Sequence, residues 1–164
     1  MDTALTGTLP WTRSCFVCGE ENPHGLHLRS RVEGGRVALD YTTREADLGY
    51  RHIVHGGIAM TLLDEVMTWA AIVDVRRACV AAEISVRLRK PIHVGQRLLL
   101  EGTVENRKSK ILLTCGEIRD ETGQVLATAT GKYVPMPPDQ ASLCEKDFVP
   151  SAEALAPAML LGGA

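Results

Sequence analysis

His55-Gly56-Gly57 and Asp64 are the residues of this sequence best suited to do chemistry together. Two consecutive glycines at a helix start leave their amides uncovered by side chains. Those amides sit at the positive end of the helix dipole, so they suit an oxygen that gains negative charge, as a carbonyl does during acyl transfer. A Gly-Gly pair also serves plain close packing. Asp64 and Glu65 follow within an apolar stretch, where a carboxylate is costly to bury without a partner. Thr61 lies three residues before Asp64 and Thr68 four after it, so the three share one helix face, and the Thr68 hydroxyl can fix the carboxylate's rotamer. A carboxylate held in that way is a candidate general base or nucleophile. Glu65 reads as a solvent-facing neighbour, or as a group at a subunit boundary that contacts substrate. His55 reads as a substrate contact, a cap for the loop, or a structural histidine.

Spacing adds a constraint. Gly56 and Asp64 are eight positions apart, which is about 12 Å along a helix rising 1.5 Å per residue. One carbonyl cannot reach both groups on the same helix. If both act on one acyl group, two antiparallel helices must lie side by side, so the site predicts a homodimer.

The elements that position these residues follow from periodicity. Ile58, Ala59, Leu62, Leu63, Val66, Met67, Ala70 and Val73 recur at helical spacing. They predict a helix from the glycines to about Val73, with an apolar arc wide enough to be wrapped on most sides. Before it, strands are predicted over Leu26–Val32 and Arg36–Thr42, joined by Gly34-Gly35, followed by a polar connection from Thr43 to Ile53. After it, Val80, Ala82, Ile84, Val86 and Leu88 alternate with Glu83, Ser85, Arg87 and Arg89, as in a half-buried strand ended by Pro91 and Gly95. Further strands are expected over Arg97–Asn106, Lys110–Asp120 and Val125–Val134, with a turn at Thr122-Gly123. One long helix between strand blocks predicts an α+β fold, an antiparallel sheet curled round that helix. Residues 1–25 read as a turn-rich N-terminal segment, 26–134 as the domain, and 135–164 as a Pro/Ala-rich tail. The tail is expected to hold a short helical turn around Ala152–Leu161 and to dock on a neighbouring subunit or stay partly disordered.

With 164 residues and a formal net charge of -2, the chain has the size of one domain and lacks the basic excess of a nucleic-acid binder. No apolar run approaches the roughly 20 residues that span a bilayer. Met1 to Pro10 lack the basic flank and apolar core of a secretion signal, so a cytoplasmic protein is expected. The five cysteines, Cys15, Cys18, Cys79, Cys115 and Cys144, are scattered and odd in number, unlike a disulfide framework. Cys15-x-x-Cys18 has the spacing of half a zinc site, with His24 or His27 as further candidates, but no second pair follows at finger-like spacing. It reads as a tight turn leading into the first strand, with no metal and no cofactor assigned.

With these residues in hand, the chain resembles the hotdog-fold thioesterase superfamily, in particular its PaaI-like (phenylacetate-pathway), acyl-CoA-hydrolysing branch. The resemblance rests on His55-Gly56-Gly57-Ile58-Ala59-Met60-Thr61-Leu62-Leu63-Asp64-Glu65, and on Ile84-Ser85-Val86-Arg87-Leu88-Arg89-Lys90-Pro91-Ile92-His93-Val94-Gly95. Cys15-Phe16-Val17-Cys18-Gly19, with Asn22-Pro23 and Gly25-Leu26, is similar to one bacterial subgroup. It spans about Cys15 to Val134. It implies a hotdog fold and a dimer or tetramer. It places the carbonyl-polarising amide at Gly56 or Gly57, the base or nucleophile at Asp64 and the supporting hydroxyl at Thr68. Two departures stand out: Gly49 occupies a position where several relatives carry Asn, and Ala81 one where many carry Ser or Thr.

Acyl-CoA is therefore the expected substrate. Arg87, Arg89, Lys90, Arg107, Lys108 and Lys110 are candidate partners for its phosphates, as well as ordinary solvated charges. Hydrolysis to a carboxylic acid and free CoA is the leading expectation. Its alternatives are a dehydratase or hydratase of acyl thioesters, and a non-catalytic acyl-CoA binding or sensing protein.

Overall fold

A computed structural model describes residues 5–162; the first four and last two residues of the terminal segments lie outside them. The chain runs β1 (Thr6–Thr8), β2 (Trp11–Thr12), β3 (Arg31–Glu33), β4 (Arg36–Thr42), a 3-10 turn (Glu45–Asp47), α1 (Gly56–Val75) and β5 (Cys79–Leu88). It continues through β6 (Arg97–Lys108), β7 (Ile111–Asp120), β8 (Val125–Pro135), α2 (Pro138–Asp147), β9 (Phe148–Val149) and α3 (Pro157–Leu161). Seven strands form one antiparallel sheet in the order β1-β3-β4-β6-β7-β8-β5, and β2 pairs with β9 in a second, two-stranded sheet. The predicted α+β layout, a sheet wrapped on one long helix, is the one observed.

Helix α1 buries Leu62, Leu63, Val66, Met67, Ala70 and Ala71 completely against the inner faces of the central strands. Contact is closest at β6, where a Cβ on Gly102 would lie 2.5 Å from the Val66 carbonyl oxygen. Only glycine lets the helix lie that near the sheet. Arg76, in the left-handed region at φ 55°, ends the helix, and its guanidinium donates to the Met159 carbonyl oxygen.

Three sequence expectations are corrected. The strand predicted over Leu26–Val32 begins only at Arg31. His27 adopts φ 55°, and the Leu26 and Leu28 amides donate to the carbonyls of Phe16 and Val17, so this stretch runs along the Cys15–Cys18 turn rather than in the sheet. The alternation of β5 is broken by a bulge between Ala81 and Glu83, which changes the phase of the strand. Cys79 and Ala81, not Val80 and Ala82, lie across from the inner-face side of β8, with Ala81 opposite Tyr133. Finally, the tail folds back on its own chain: β9 pairs with β2, Phe148 packs tilted against Trp69 with ring centroids 5.8 Å apart, and Leu160 is fully buried.

Candidate active site

The sharp turn into α1 is built by groups the sequence presents as an ordinary polar loop. Asp47 is buried; its carboxylate accepts from the Tyr41 hydroxyl and from the Arg44 backbone at 2.7 Å and guanidinium at 3.2 Å. The Asp47 carbonyl accepts from the His55 amide at 2.8 Å. Burial, and then the Asp47 carboxylate, push the Tyr41 phenol well above its usual range, so it remains a donor. Gly49 passes so near this turn that a Cβ would lie 2.9 Å from His55 Cα. An Asn at that position would not fit without moving the backbone, which accounts physically for one of the two departures.

His55 caps the helix with its ring. The Gly57 amide donates to His55 Nδ1 at 2.9 Å, and the Ile58 amide donates to the His55 carbonyl at 2.9 Å. Among the described residues no acceptor is bonded to the Gly56 amide. Of the two predicted amides, Gly57 is thus spent on the cap, and Gly56 keeps an open hydrogen at the positive end of α1. Gly56 lines a pocket of about 580 Å³ with Gly49, His55, Leu88, Arg89 and Lys90 among its walls. Two of the six predicted cations therefore flank the helix start. Arg107 lies elsewhere, bound to Asp74 at the far end of α1 with a closest approach of 2.5 Å.

Asp64 is half-buried on the flank of α1 that its own sheet leaves partly uncovered, together with Thr61, Thr68 and the 45% exposed Met60. Thr68 Oγ1 donates to Asp64 Oδ1 at 3.1 Å, as its spacing predicts. Tyr133, unforeseen, donates its hydroxyl to the same oxygen at 2.6 Å. Among the described residues Asp64 Oδ2 has no donor, so one carboxylate oxygen is anchored and the other is available. Burial, and next the Asp64 carboxylate, push the Tyr133 phenol well above its usual range, which keeps its proton in place. Tyr133 falls in phase with Ala127, Ala129 and Gly131 on the inner face of β8, so a lone hydroxyl in an inward register was the available signal.

Glu65 points to the opposite flank. It is 8% exposed, so the solvent-facing reading is overturned, and it does not line the pocket at the helix start. Its Oε1 accepts from Trp69 Nε1 at 2.8 Å, and its carboxylate lies within 4.8 Å of both Cys15 and Cys18. Burial pushes the Glu65 carboxyl up to about 7.

A curled antiparallel sheet holding one central helix, with a glycine-rich helix start and a mid-helix carboxylate, is the hotdog architecture, and solved structures, among them one of a thioesterase superfamily protein, superpose on it. Residues 52–127 match the model of the thioesterase superfamily. A thioesterase superfamily protein of known structure shares 28% identity and a TM-score of 0.68 over 74% of this chain and 60% of its own. The chain thus spans less than two thirds of that relative's length. The Escherichia coli PaaI protein from the phenylacetic acid degradation operon aligns at 21% identity and TM-score 0.61, over 67% of this chain and 78% of its own. An acyl-CoA hydrolase from Staphylococcus aureus, solved with butyryl-CoA and CoA, aligns at 21% and TM-score 0.60, over 64% and 65%. At those identities the last two show the fold alone. No curated protein matches the sequence. Among the described residues no helix is long and apolar enough to cross a membrane.

Proposed function

We infer that the protein is an acyl-CoA thioesterase whose site is completed between two subunits. The observation that carries this reading is the pairing of an open Gly56 amide with an Asp64 carboxylate anchored through one oxygen only. The acyl carbonyl accepts from the Gly56 amide, which stabilises the oxyanion as the carbonyl carbon becomes tetrahedral. Asp64 Oδ2 of the other subunit takes a proton from water attacking that carbon, or attacks it directly to form an anhydride that water then opens. In either route the carbon–sulfur bond breaks, coenzyme A leaves as the thiol, and the acyl group leaves as a carboxylic acid. Thr68 and Tyr133 hold Oδ1 throughout. Arg89 and Lys90 at the pocket wall suit the phosphates of CoA.

Two features support the dimer. The stripe bearing Gly57, Met60, Asp64 and Thr68 is the flank of α1 left free for a second helix. Strand β5 is an edge with Leu88 48% exposed, and an open edge calls for cover. Together they favour two helices packed antiparallel, which brings each Asp64 toward the other chain's Gly56.

The test is release of free thiol across a panel of acyl-CoAs, with wild type and Asp64→Ala. Wild type releases CoA from at least one acyl class, and Asp64→Ala loses most of that rate while still assembling. Binding of acyl-CoA without release from any member would instead establish the non-catalytic, acyl-CoA-sensing alternative.

A further inference from the structure

The cysteine pair at the N-terminal turn meets a third group that the sequence leaves far away. Cys15, Cys18 and Glu65 place one ligand atom each within 4.8 Å of one another, although some 47 positions separate Cys18 from Glu65. We propose that these three residues bind a soft divalent cation of the zinc class, independently of the thioesterase reading.

Geometry comes first. Zinc–sulfur bonds of about 2.3 Å and zinc–oxygen bonds of about 2.0–2.2 Å in a tetrahedron hold ligand atoms roughly 3.5–3.8 Å apart. Small side-chain rotations therefore close the set. The turn already has the form a ligating Cys-x-x-Cys needs: the Gly19 amide donates to the Cys15 carbonyl at 2.9 Å, and the Val17 amide donates to Cys15 Sγ at 3.4 Å. An amide aimed at sulfur favours the thiolate, the form that binds metal. Glu65 is oriented in turn by Trp69 Nε1 on Oε1, the outer-shell support that metal ligands characteristically have, and its carboxylate is held against the Cys18 thiol.

Charge balance supplies the second argument. Glu65 is buried with no lysine, arginine or histidine bonded to it among the described residues, and a buried carboxylate that is ionised costs several kcal/mol, so it either takes a proton or gains from a cation beside it. A divalent ion between two sulfurs and this carboxylate is such a cation. His24 and His27, the partners that spacing alone offers, are not members of the set. Cys15, Cys18 and Glu65 all line one pocket of about 230 Å³, whose wall also includes Cys79, Cys144 and Asp147, with room for water or a small thiol as a fourth ligand.

The test uses the full chain, untagged, stripped with a chelator in reducing buffer and titrated with Co²⁺ and then Zn²⁺. One Co²⁺ binds per chain with a thiolate-to-cobalt charge-transfer band, and Zn²⁺ displaces it. Cys15→Ser, at a half-buried position, and Glu65→Gln, which keeps an oxygen for Trp69, each weaken binding by more than about tenfold, the scale reached even by outer-shell changes. Cys79→Ser and Cys144→Ser bind as wild type, and circular dichroism verifies that every variant is folded. Absence of the band at stoichiometric cobalt overturns the proposal, as does unchanged affinity in Cys15→Ser and Glu65→Gln. A Cys15–Cys18 disulfide that persists in the reducing buffer and excludes metal also overturns it and assigns the pair to a structural disulfide. None of these readouts depends on thioester hydrolysis, so the two readings fail separately.

Discussion

Asp64 and Glu65 are consecutive carboxylates on one helix, and the protein treats them in opposite ways. Asp64 is half-buried, and its Oδ1 takes two hydroxyl donors, Thr68 and Tyr133. Glu65 is almost wholly enclosed, takes one indole donor, and faces two thiols. Consecutive residues project about 100° apart around a helix of 3.6 residues per turn, so α1 presents one acid to the uncovered flank and the other to the N-terminal turn. Under the proposed mechanism the difference is what suits one of them to substrate: donors crowd one oxygen to fix its direction, and the other oxygen is left bare. A carboxylate buried among sulfurs lacks that open side and is suited to hold a cation instead.

The strongest way to break this comparison is to remove the open acid. Asp64→Ala should lower kcat/KM by on the order of 10²- to 10⁴-fold, the range of a positioned general base; it also leaves the buried Tyr133 hydroxyl without its acceptor, so a stability loss of about 1–3 kcal/mol accompanies it in a protein that still folds. Retention of wild-type turnover would show that Asp64 is not the reactive member of the pair. Gly56→Ala should follow, with a loss on the order of 10²-fold, as for one oxyanion donor. The added Cβ would meet Leu88 Cδ1 at 2.9 Å, the movable end of a side chain, so the helix start survives while the amide's approach is obstructed. Mixing the two inactive variants sharpens the result. In mixed dimers one site recovers an intact Gly56 and Asp64, so activity should return to about a quarter of wild type after subunit exchange. No recovery would place both groups in a single chain's site and end the shared-site model.

The helix, its glycine start and the Thr68–Asp64 bond were legible because each is a local pattern: 3.6-residue periodicity, a Gly-Gly pair, and an i, i+4 spacing. The four long strands were legible for the same reason, with alternation and turn residues marking them. What stayed hidden depends on register or on distant contact. Tyr133 reaches Asp64 only because β8 lies beside β5 in the order β7-β8-β5, and strand order is not written in alternation. The bulge near Ala82 has no residue signature, so the inner face of β5 was assigned one position out of phase at its start. Of the tail only the helical turn that α3 forms was legible, within Ala152–Leu161; α2 and β9 were not, because they are short and gain their stability from Trp69 and from β2, not from their own periodicity. Asp47 looked like one more polar loop residue until Tyr41 and Arg44 were seen to enclose it.

Breaking the support for Asp47 should have a smaller effect than removing a reacting group, and one of a different kind. Asp47→Ala leaves the buried Tyr41 hydroxyl without its acceptor and loosens the loop before His55. A stability loss of about 1–3 kcal/mol is expected, read as a lowered midpoint in urea. An unchanged midpoint would mean that the His55 turn stands without it.

The two anchors of Asp64 can be ranked by their geometry. Tyr133 is fully buried and its bond is 2.6 Å, while Thr68 is partly exposed and its bond is 3.1 Å. A hydrogen bond to a charged group contributes about 1.5–3 kcal/mol when well made. Tyr133→Phe should therefore lower kcat by roughly ten- to a hundredfold, since each 1.4 kcal/mol is a factor of ten. Thr68→Val keeps the side-chain shape and loses the longer, wetter bond, so about 1 kcal/mol, or roughly fivefold, is expected. The order of the two effects matters more than their size. If Thr68→Val costs more than Tyr133→Phe, the carboxylate is steered from within its own helix, and the cross-sheet phenol is packing rather than an anchor.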